Sequence, residues 1–282
     1  MSDNLSLWQS YRRALLRPAV RPEQALLLAP LQRQAELASN PQQLLSYRQL
    51  CQLTPSDQLP PCWLSVLSFP LQLSLLTDPA LPLPAMGLLH IRNQIRQWRP
   101  LPTKAKWQLQ ATLDTPQVHA KGVLLTINTV AYLQNELCWQ QQAEYLYRTA
   151  STMSAAAIPT ALPADPILSL PALSQLSLAP ALSRRYAWLS GDLNPIHLSA
   201  LSARCFGLPA ALAHGMHLKA LILGRLAPTI EAYKVDVNFS RPFYLPGQAQ
   251  LSSALLDNGQ QPFRVMQSAQ QKPVLSGDIL PI

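Results

Sequence analysis

One pattern occurs twice in this sequence of 282 residues, and it constrains the fold more than any other feature. An apolar stretch of helical character, Leu64–Leu76, is followed by a strand that ends at Arg99, and a further strand begins eight residues beyond that arginine. The second copy has the apolar stretch His214–Leu226, a strand that ends at Arg241 and, eight residues later, another strand. A helix that is apolar on most sides must be buried, and alternating strands offer an apolar face that buries it. The repeat therefore predicts two related units, each with a central helix wrapped by antiparallel strands.

A proline-rich segment separates the two copies. Residues 151–180 consist mainly of Ala, Leu, Ser and Pro and include five prolines, a density that rules out a long helix. We interpret this segment as an extended linker. The predicted organisation is an N-terminal domain over residues 1–150, the linker over 151–180 and a C-terminal domain over 181–282.

The charge composition narrows the possible partners. The chain carries 22 basic and 14 acidic residues, a formal net charge of +8, but only 7% of its residues are aromatic. The basic residues form no run and do not alternate with aromatic ones, which disfavours nucleic acid as a ligand. The surplus of positive charge suits a ligand that bears phosphates, or an acidic carrier protein.

The distribution of apolar residues bears on location. No apolar run reaches the roughly 18 residues that a membrane-spanning helix needs. The N-terminal segment has an early acidic residue and internal arginines, which do not fit a signal peptide. We expect a cytoplasmic protein without a membrane span. The four cysteines are scattered and form no CxxC pair, so we expect reduced thiols.

The stretch from 188 to 223, WLSGDLNPIHLSALSARCFGLPAALAHGMHLKALIL, holds three of the five histidines beside apolar sequence. Asn194 is a favoured helix cap and Pro195 fits the first helical position, so a helix is predicted from there to the glycine at 207. His197 then lies in the first turn, where the helix dipole disfavours its protonation. Asp192 precedes the cap in a loop that Gly191 allows to turn sharply. A carboxylate and a neutral imidazole at one helix entrance could hold and polarise a water molecule.

A second helix is predicted to begin at His214 and Gly215. The first amides of a helix have no partner within it, and they can stabilise negative charge that develops on a carbonyl oxygen. A water site beside such amides suits addition of water to an α,β-unsaturated carbonyl compound, or its elimination. Simpler interpretations stay open, since Asp192 could be only a capping residue and Gly215 only a packing glycine. His197 and His217 lack the HExxH spacing of a zinc site, so no metal is predicted.

The two copies differ in their chemistry. Aligning them places Phe69 and Pro70 of the first copy where the second has His214 and Gly215. Nothing upstream in the first copy resembles the string Ser-Gly-Asp-x-Asn-Pro-x-His. The two histidines of the first copy, at 90 and 119, fall on predicted strands and are interpreted as structural. The alignment predicts that one copy retains a site and the other only the scaffold.

The segments LSGDLNPIH, AHGM and VNFSRPFYLPG, in this order, resemble the MaoC-like acyl dehydratases, the family that includes the (R)-specific enoyl-CoA hydratases. The resemblance is strong over residues 185–256 and weaker in the first half. It implies an α+β double hot-dog fold, with two tandem units that each wrap a curved antiparallel sheet around a long central helix. It also implies a degenerate N-terminal unit that widens the acyl tunnel and a C-terminal unit that carries the chemistry.

The same resemblance implies an activity. The enzyme would interconvert (3R)-hydroxyacyl and trans-2-enoyl thioesters of CoA or acyl carrier protein, with no cofactor besides the carrier of the substrate. An aspartate and a histidine would activate the water and pass its proton, and the amide of a glycine would bind the thioester carbonyl. The implied residues are catalytic Asp192 and His197, supporting Ser190, Gly191 and Asn194, and thioester-binding Gly215 with His214 beside it.

Two rival functions and one question of assembly stay open. A hot-dog thioesterase also brings an acidic residue and a helix N-terminus to a thioester, and its reaction would release a free thiol. A non-catalytic module would bind an enoyl thioester without hydrating it. A monomer and a homodimer of double hot-dogs are both compatible with the sequence.

Overall fold

The computed structural model describes residues 7–16, 22–149, 170–226, 231–267 and 273–282. The first half contains α1 (Leu7–Leu16), α2 (Pro22–Ala25), β1 (Leu31–Ala38), α3 (Pro41–Leu50), α4 (Trp63–Leu76), β2 (Leu89–Gln97), β3 (Lys106–Leu113), β4 (Gln117–His119), β5 (Gly122–Leu133) and β6 (Glu136–Arg148). The second half contains β7 (Ala172–Leu178), α5 (Pro180–Ser190), a 3₁₀ turn (Pro195–His197), α6 (Ala200–Arg204), α7 (Gly215–Leu226), β8 (Tyr233–Phe239), β9 (Gly247–Ser253), β10 (Gln261–Gln267) and β11 (Leu275–Pro281).

The strands form one antiparallel sheet whose two halves have the same topology. Its order is β1-β3-β5-β6-β2-β8-β11-β10-β9-β7, and β4 pairs with β5 outside this path. From its outer edge to the middle of the sheet, the first half has the order β1-β3-β5-β6-β2 and the second half β7-β9-β10-β11-β8. If the short β4 is left out, both orders are first, third, fourth, fifth and second long strand along the chain. The predicted internal repeat and the double hot-dog fold are therefore confirmed.

The two halves join where β2 pairs with β8. Arg92 of β2 donates two hydrogen bonds to the Asp236 carboxylate on β8, at 3.0 and 2.7 Å. Gln94 donates a third to the same carboxylate at 2.8 Å. Because backbone pairing and a bidentate ion pair cross the same line, the halves form a continuous unit rather than two domains on a flexible tether.

A largely apolar helix is the centre of each half, as predicted. In α7 every residue from His217 to Leu223 is buried, and α4 is likewise buried along most of its length. Along β8 the side chains of Tyr233, Val235 and Val237 are buried in the core, which confirms the alternation seen in the sequence. None of the described helices is both long and apolar enough to cross a membrane.

The predicted linker needs a correction. Residues 150–169 lie outside the described part of the chain, but Ala172–Leu178 is a strand that pairs with β9 at the edge of the sheet. Two of its leucines, Leu176 and Leu178, are buried in the core. Two of the five prolines that suggested a linker stand just outside this strand, at 171 and 180, where proline costs no ladder hydrogen bond. This part of residues 151–180 therefore belongs to the second unit.

Candidate active site

Three side chains from the predicted stretch come together in the second half. One carboxylate oxygen of Asp192 and one ring nitrogen each of His197 and His214 all lie within 4.8 Å of one another. A water molecule that bonds two such atoms at about 2.8 Å each can bridge up to about 5.6 Å. The group is therefore compact enough to hold one water.

Asp192 is presented by a sharp turn at the end of α5. Gly191 ends that helix with φ 79°, a conformation that favours glycine. The Asp192 amide donates to Ser190 Oγ at 3.2 Å, and Asp192 Oδ1 accepts from the Asn194 amide at 3.3 Å. Burial raises the pKa of the Asp192 carboxyl, while the neighbouring His197 opposes that shift. The predicted supporting residues thus lie where they fix this turn.

His197 is oriented by a backbone carbonyl. Its Nδ1 lies 2.9 Å from the Leu212 carbonyl oxygen, which can only accept, so Nδ1 carries the proton. Burial lowers the pKa of the imidazole, and the neutral ring then keeps Nε2 as a proton acceptor. The expected neutral state is thus supported, but its main cause is burial rather than a helix dipole.

The predicted helix around His197 is wrong in its extent. Asn194 does cap the start, accepting from the Ile196 amide at 3.4 Å, but only the 3₁₀ turn Pro195–His197 follows. A separate helix, α6, begins at Ala200 with Ser199 as its cap. The serine caps by accepting from the Ser202 amide at 3.0 Å, and its extended backbone interrupts the helix.

His214 does more than line an edge of the site. Its Nε2 donates to the Asp192 carbonyl oxygen at 3.0 Å, and Nδ1 lies 3.2 Å from Ser183 Oγ. The ring stacks on that of His197, with centroids 3.8 Å apart. Burial lowers the pKa of His214 well below its usual value, so the ring is neutral and Ser183 is the donor to Nδ1. His214 therefore fixes both the Asp192 turn and the face of His197.

Gly215 begins α7, as predicted, so its amide is one of the first-turn amides without a helical partner. A side chain at this position would meet the ring of Phe239, since a Cβ atom would lie 2.8 Å from Cε1. The absence of a side chain is thus explained by packing, the simpler interpretation that the sequence left open. Gly215 nevertheless lines the cavity together with Asp192 and His197.

The alignment of Phe69 and Pro70 with His214 and Gly215 is wrong. Pro70 lies in the interior of α4, which begins at Trp63, whereas Gly215 is the first residue of α7. The residue that matches His214 as a helix cap is Cys62, with φ 65°. Phe69 nevertheless borders the site, because its ring approaches Gly191 and lines the same cavity.

The site opens into a cavity of about 450 Å³ that both halves line. The first half contributes apolar side chains of α4, among them Val66, Phe69 and Leu73. Three basic residues also line the cavity, Lys121 and Arg148 from the first half and Arg241 from the second. An apolar wall with separate positive charges suits an acyl chain joined to a phosphate-bearing carrier.

The first half also supports the wall beside α7. His90 on β2 stacks on Tyr145 of β6 with centroids 4.6 Å apart, and it packs against Phe239 at 4.9 Å. All three rings line the cavity, and Phe239 contacts Gly215. His90 thus has the structural role that the sequence predicted: it packs on Phe239 and so links the first half to the wall beside Gly215.

Two residues at the site were missed from the sequence. Ser183 lies on the buried face of α5 with Tyr186 and Ala187, and this helical spacing is a signal that could have revealed it. Tyr11 of α1 bonds the backbone on both sides of Asp192, at Gly191 and Leu193, which are 180 and 182 residues away in the chain. No periodic signal in the sequence connects residues so far apart.

The same three side chains, Asp192, His197 and His214, are close enough to ligate a metal ion. Both ring nitrogens of His214 already make hydrogen bonds, so His214 would have to give one up to coordinate. The donor set as arranged fits a water molecule better than a metal. That no metal takes part stays a prediction.

Known proteins share these features. The model of the MaoC-like domain family matches residues 165–267. The 3-hydroxyacyl-thioester dehydratase X of Mycobacterium tuberculosis is 32% identical over 225 residues, which are 79% of this chain and 80% of that protein. A crystal structure of HtdX from Mycobacterium tuberculosis is 27% identical, with a TM-score of 0.79 over 89% of this chain and 100% of that chain. A MaoC-like dehydratase from Phytophthora capsici, 16% identical, shares the fold with a TM-score of 0.67 over 93% of this chain and 98% of that chain.

Proposed function

The chain belongs to the family of MaoC-like dehydratases and is a hydro-lyase, and we propose that it interconverts (3R)-3-hydroxyacyl and trans-2-enoyl thioesters. The name of the 32% identical relative, a 3-hydroxyacyl-thioester dehydratase, supports this substrate class. The R configuration rests on the resemblance of LSGDLNPIH to the (R)-specific hydratases.

The observation that carries this proposal is the pairing of a half-buried carboxylate with an imidazole of fixed tautomer. The Leu212 carbonyl holds the proton on Nδ1 of His197, so Nε2 is available as a base. The Asp192 carboxylate lies near enough to bond the same water. In hydration the water oxygen adds to C3 and His197 accepts a proton from it; His197 then passes this proton to C2, which returns the imidazole to its neutral form. Dehydration runs the same steps in reverse and releases water.

Negative charge develops on the thioester oxygen as water adds, and a donor must stabilise it. The first-turn amide of Gly215 borders the same cavity as Asp192 and His197. We assign this amide to the thioester oxygen, where a fixed donor contributes typically about 3 kcal/mol to lowering the barrier. His214 supports the arrangement through its bond to the Asp192 carbonyl and its stack on His197.

The carrier of the acyl group is CoA or acyl carrier protein. Both present a phosphopantetheine arm, and the cavity has Lys121, Arg148 and Arg241 in its lining. Turnover of enoyl substrates of increasing length, each on both carriers, would identify the preferred carrier and the depth of the tunnel.

Asp192→Asn and His197→Ala test the proposal. Each should lower hydration of crotonyl-CoA, followed by loss of the enoyl thioester absorbance, by about 10²- to 10⁴-fold. Asp257→Asn is a matched control, because Asp257 is exposed, and it should leave turnover unchanged. Near-normal turnover in both site variants would refute the assigned roles. Release of free thiol by the wild type would indicate a thioesterase instead, and binding without turnover a non-catalytic module.

A further inference from the structure

Helix α1 lies outside the repeated units yet contacts the site. The sheet and central helix of each half are complete without it. Ser10, Tyr11 and Ala14 form its buried face, while Trp8 is exposed. Leu7 packs close to Gly191, and Tyr11 lines the cavity. An element that belongs neither to the sheet nor to the central helices but touches the turn of the proposed catalytic aspartate calls for a functional explanation.

The Tyr11 hydroxyl bridges the two residues on either side of Asp192. It donates to the Gly191 carbonyl oxygen at 2.7 Å and accepts from the Leu193 amide at 2.6 Å. The side chain is buried. A single hydroxyl thus bonds the backbone immediately before and immediately after the carboxylate.

We propose that Tyr11 is a positioning residue that holds the 191–193 turn so that the Asp192 carboxylate points at the reacting water. This inference rests on the proposed role of Asp192. The only proton of Tyr11 is committed to the Gly191 carbonyl, so Tyr11 transfers no proton itself.

The turn has other restraints, since the Asp192 amide donates to Ser190 Oγ at 3.2 Å and His214 Nε2 donates to the Asp192 carbonyl oxygen at 3.0 Å. Neither of them bonds the Gly191 carbonyl or the Leu193 amide. The Asp192 side chain accepts from one amide, that of Asn194, at a distance of 3.3 Å, and Gly191 is the most flexible residue type. The Leu193 amide also approaches the Gly191 oxygen, at 3.0 Å, but this contact lies within the turn and does not anchor it. Without the Tyr11 hydroxyl the turn would lose its anchor to α1, and a displacement of about 1 Å at a catalytic group can cost about 10²-fold in rate.

Tyr11→Phe in the full-length chain tests the inference. We expect kcat for hydration of crotonyl-CoA to fall by about 10- to 100-fold while KM changes by less than about twofold. Tyr233→Phe is the matched control, since it also removes a buried hydroxyl. This hydroxyl bonds Gln97 over a distance of 3.4 Å, and Tyr233 does not line the cavity. The control should keep wild-type kcat, so a general loss of a buried hydrogen bond would not explain a selective effect of Tyr11→Phe.

The outcomes separate this inference from the proposed function. Wild-type kcat in Tyr11→Phe, with Asp192→Asn inactive, overturns the role of Tyr11 and leaves the proposed function standing. Full activity in Asp192→Asn overturns the role of Asp192 on which this inference rests, whereas a wild type that does not hydrate enoyl thioesters overturns the proposed function itself. If Tyr11→Phe does not fold, amide hydrogen exchange of the wild type decides. The Leu193 amide should be protected by its bond to Tyr11, and exchange at the rate of an unstructured amide overturns the inference.

Discussion

The chain turns at equivalent positions after α3 and after α5, but the side chains at the two turns differ in chemistry. Each helix begins with a proline, and eleven residues later each chain turns with a positive φ, 56° at Gln52 and 79° at Gly191. The next residue is Leu53 in the first half and Asp192 in the second. Leu53 packs against the core beside Gly224, whereas Asp192 lines the cavity. The comparison shows that one corner of the scaffold serves either as core or as a candidate catalytic turn, depending on one side chain.

The segments that follow the two corners explain why only one half has a complete site. The second half inserts the 3₁₀ turn with His197 and helix α6 before α7 begins at Gly215. The first half proceeds to α4, whose first residue, Trp63, is buried and donates through Nε1 to Ser39 Oγ at 2.8 Å. The first residue of α4 is thus a buried tryptophan, whereas the first residue of α7 is Gly215.

Replacing Asp192 by leucine, the residue type at the equivalent position of the first half, should have the largest effect. Asp192→Leu is expected to lower kcat/KM by about 10³-fold or more, because it removes both the water ligand and the charge. Burial raises the pKa of Asp192, so its ionised form destabilises the folded state at neutral pH. The melting temperature should therefore stay the same or rise. Activity within tenfold of wild type would break the comparison, and both quantities follow from steady-state assays and thermal unfolding.

The comparison also shows what the sequence could reveal. The repeat and the strand ends were predictable because alternation and the prolines after Arg99 and Arg241 are local signals. The site stretch was predictable because Asp192, His197 and Gly215 are close in sequence and each adjoins a turn or helix start. The break of the helix at Ser199 had a local signal that was overlooked, since serine favours a cap.

Other features depended on contacts that no local pattern encodes. The two bonds of His214 join it to Ser183 and to the backbone of Asp192, which lie on different elements. Strand β7 was not predicted because the high proline content was assigned to the whole segment 151–180, although residues 172–178 contain no proline. The match of Leu53 to Asp192 needs the backbone angles of both corners, which the sequence does not show.

Acid should destabilise both halves, because each has histidines whose pKa is lowered by burial, but only in the second half should it also stop catalysis. Burial lowers the pKa of His90 to about 3, so the folded chain leaves it neutral while the unfolded chain protonates it below pH 6.5. Stability is therefore full above pH 6.5 and is lost as the pH falls, by about 2 kcal/mol for this residue at pH 5. His90→Phe should remove that part of the loss measured by urea unfolding at pH 7.5 and 5. The fall of kcat/KM in acid, which follows protonation of His197, should remain in the variant. This fall should lie below pH 6.5, because burial lowers the pKa of His197. If kcat/KM of the variant no longer fell in acid, His90 itself would take part in the reaction.

The reverse copy, Leu53→Asp, sharpens the comparison from the other side. An acid at this corner would lie against the core without the two histidines, so we expect a loss of about 1–3 kcal/mol in unfolding free energy. It should add no hydration activity. The decisive test is the double variant, in which Leu53→Asp is added to Asp192→Asn. It should have no more hydration activity than Asp192→Asn alone. Restored turnover would mean that the first half also has a working site.

The smallest expected effect concerns the third residue after each helix-starting proline, Leu44 in α3 and Ser183 in α5. Both are buried, but only the serine can donate to a ring nitrogen, that of His214. Ser183→Ala should lower kcat/KM by about 3- to 10-fold, the equivalent of the roughly 1 kcal/mol that one neutral hydrogen bond contributes. Ser46→Ala in α3, which removes a bond to the Gln42 carbonyl, is the control and should change nothing. If Ser183→Ala matched its control, the Asp192 carbonyl and the rings of His197 and Tyr186 would be sufficient to hold His214. The serine would then contribute no more to catalysis than Leu44 does in the other half.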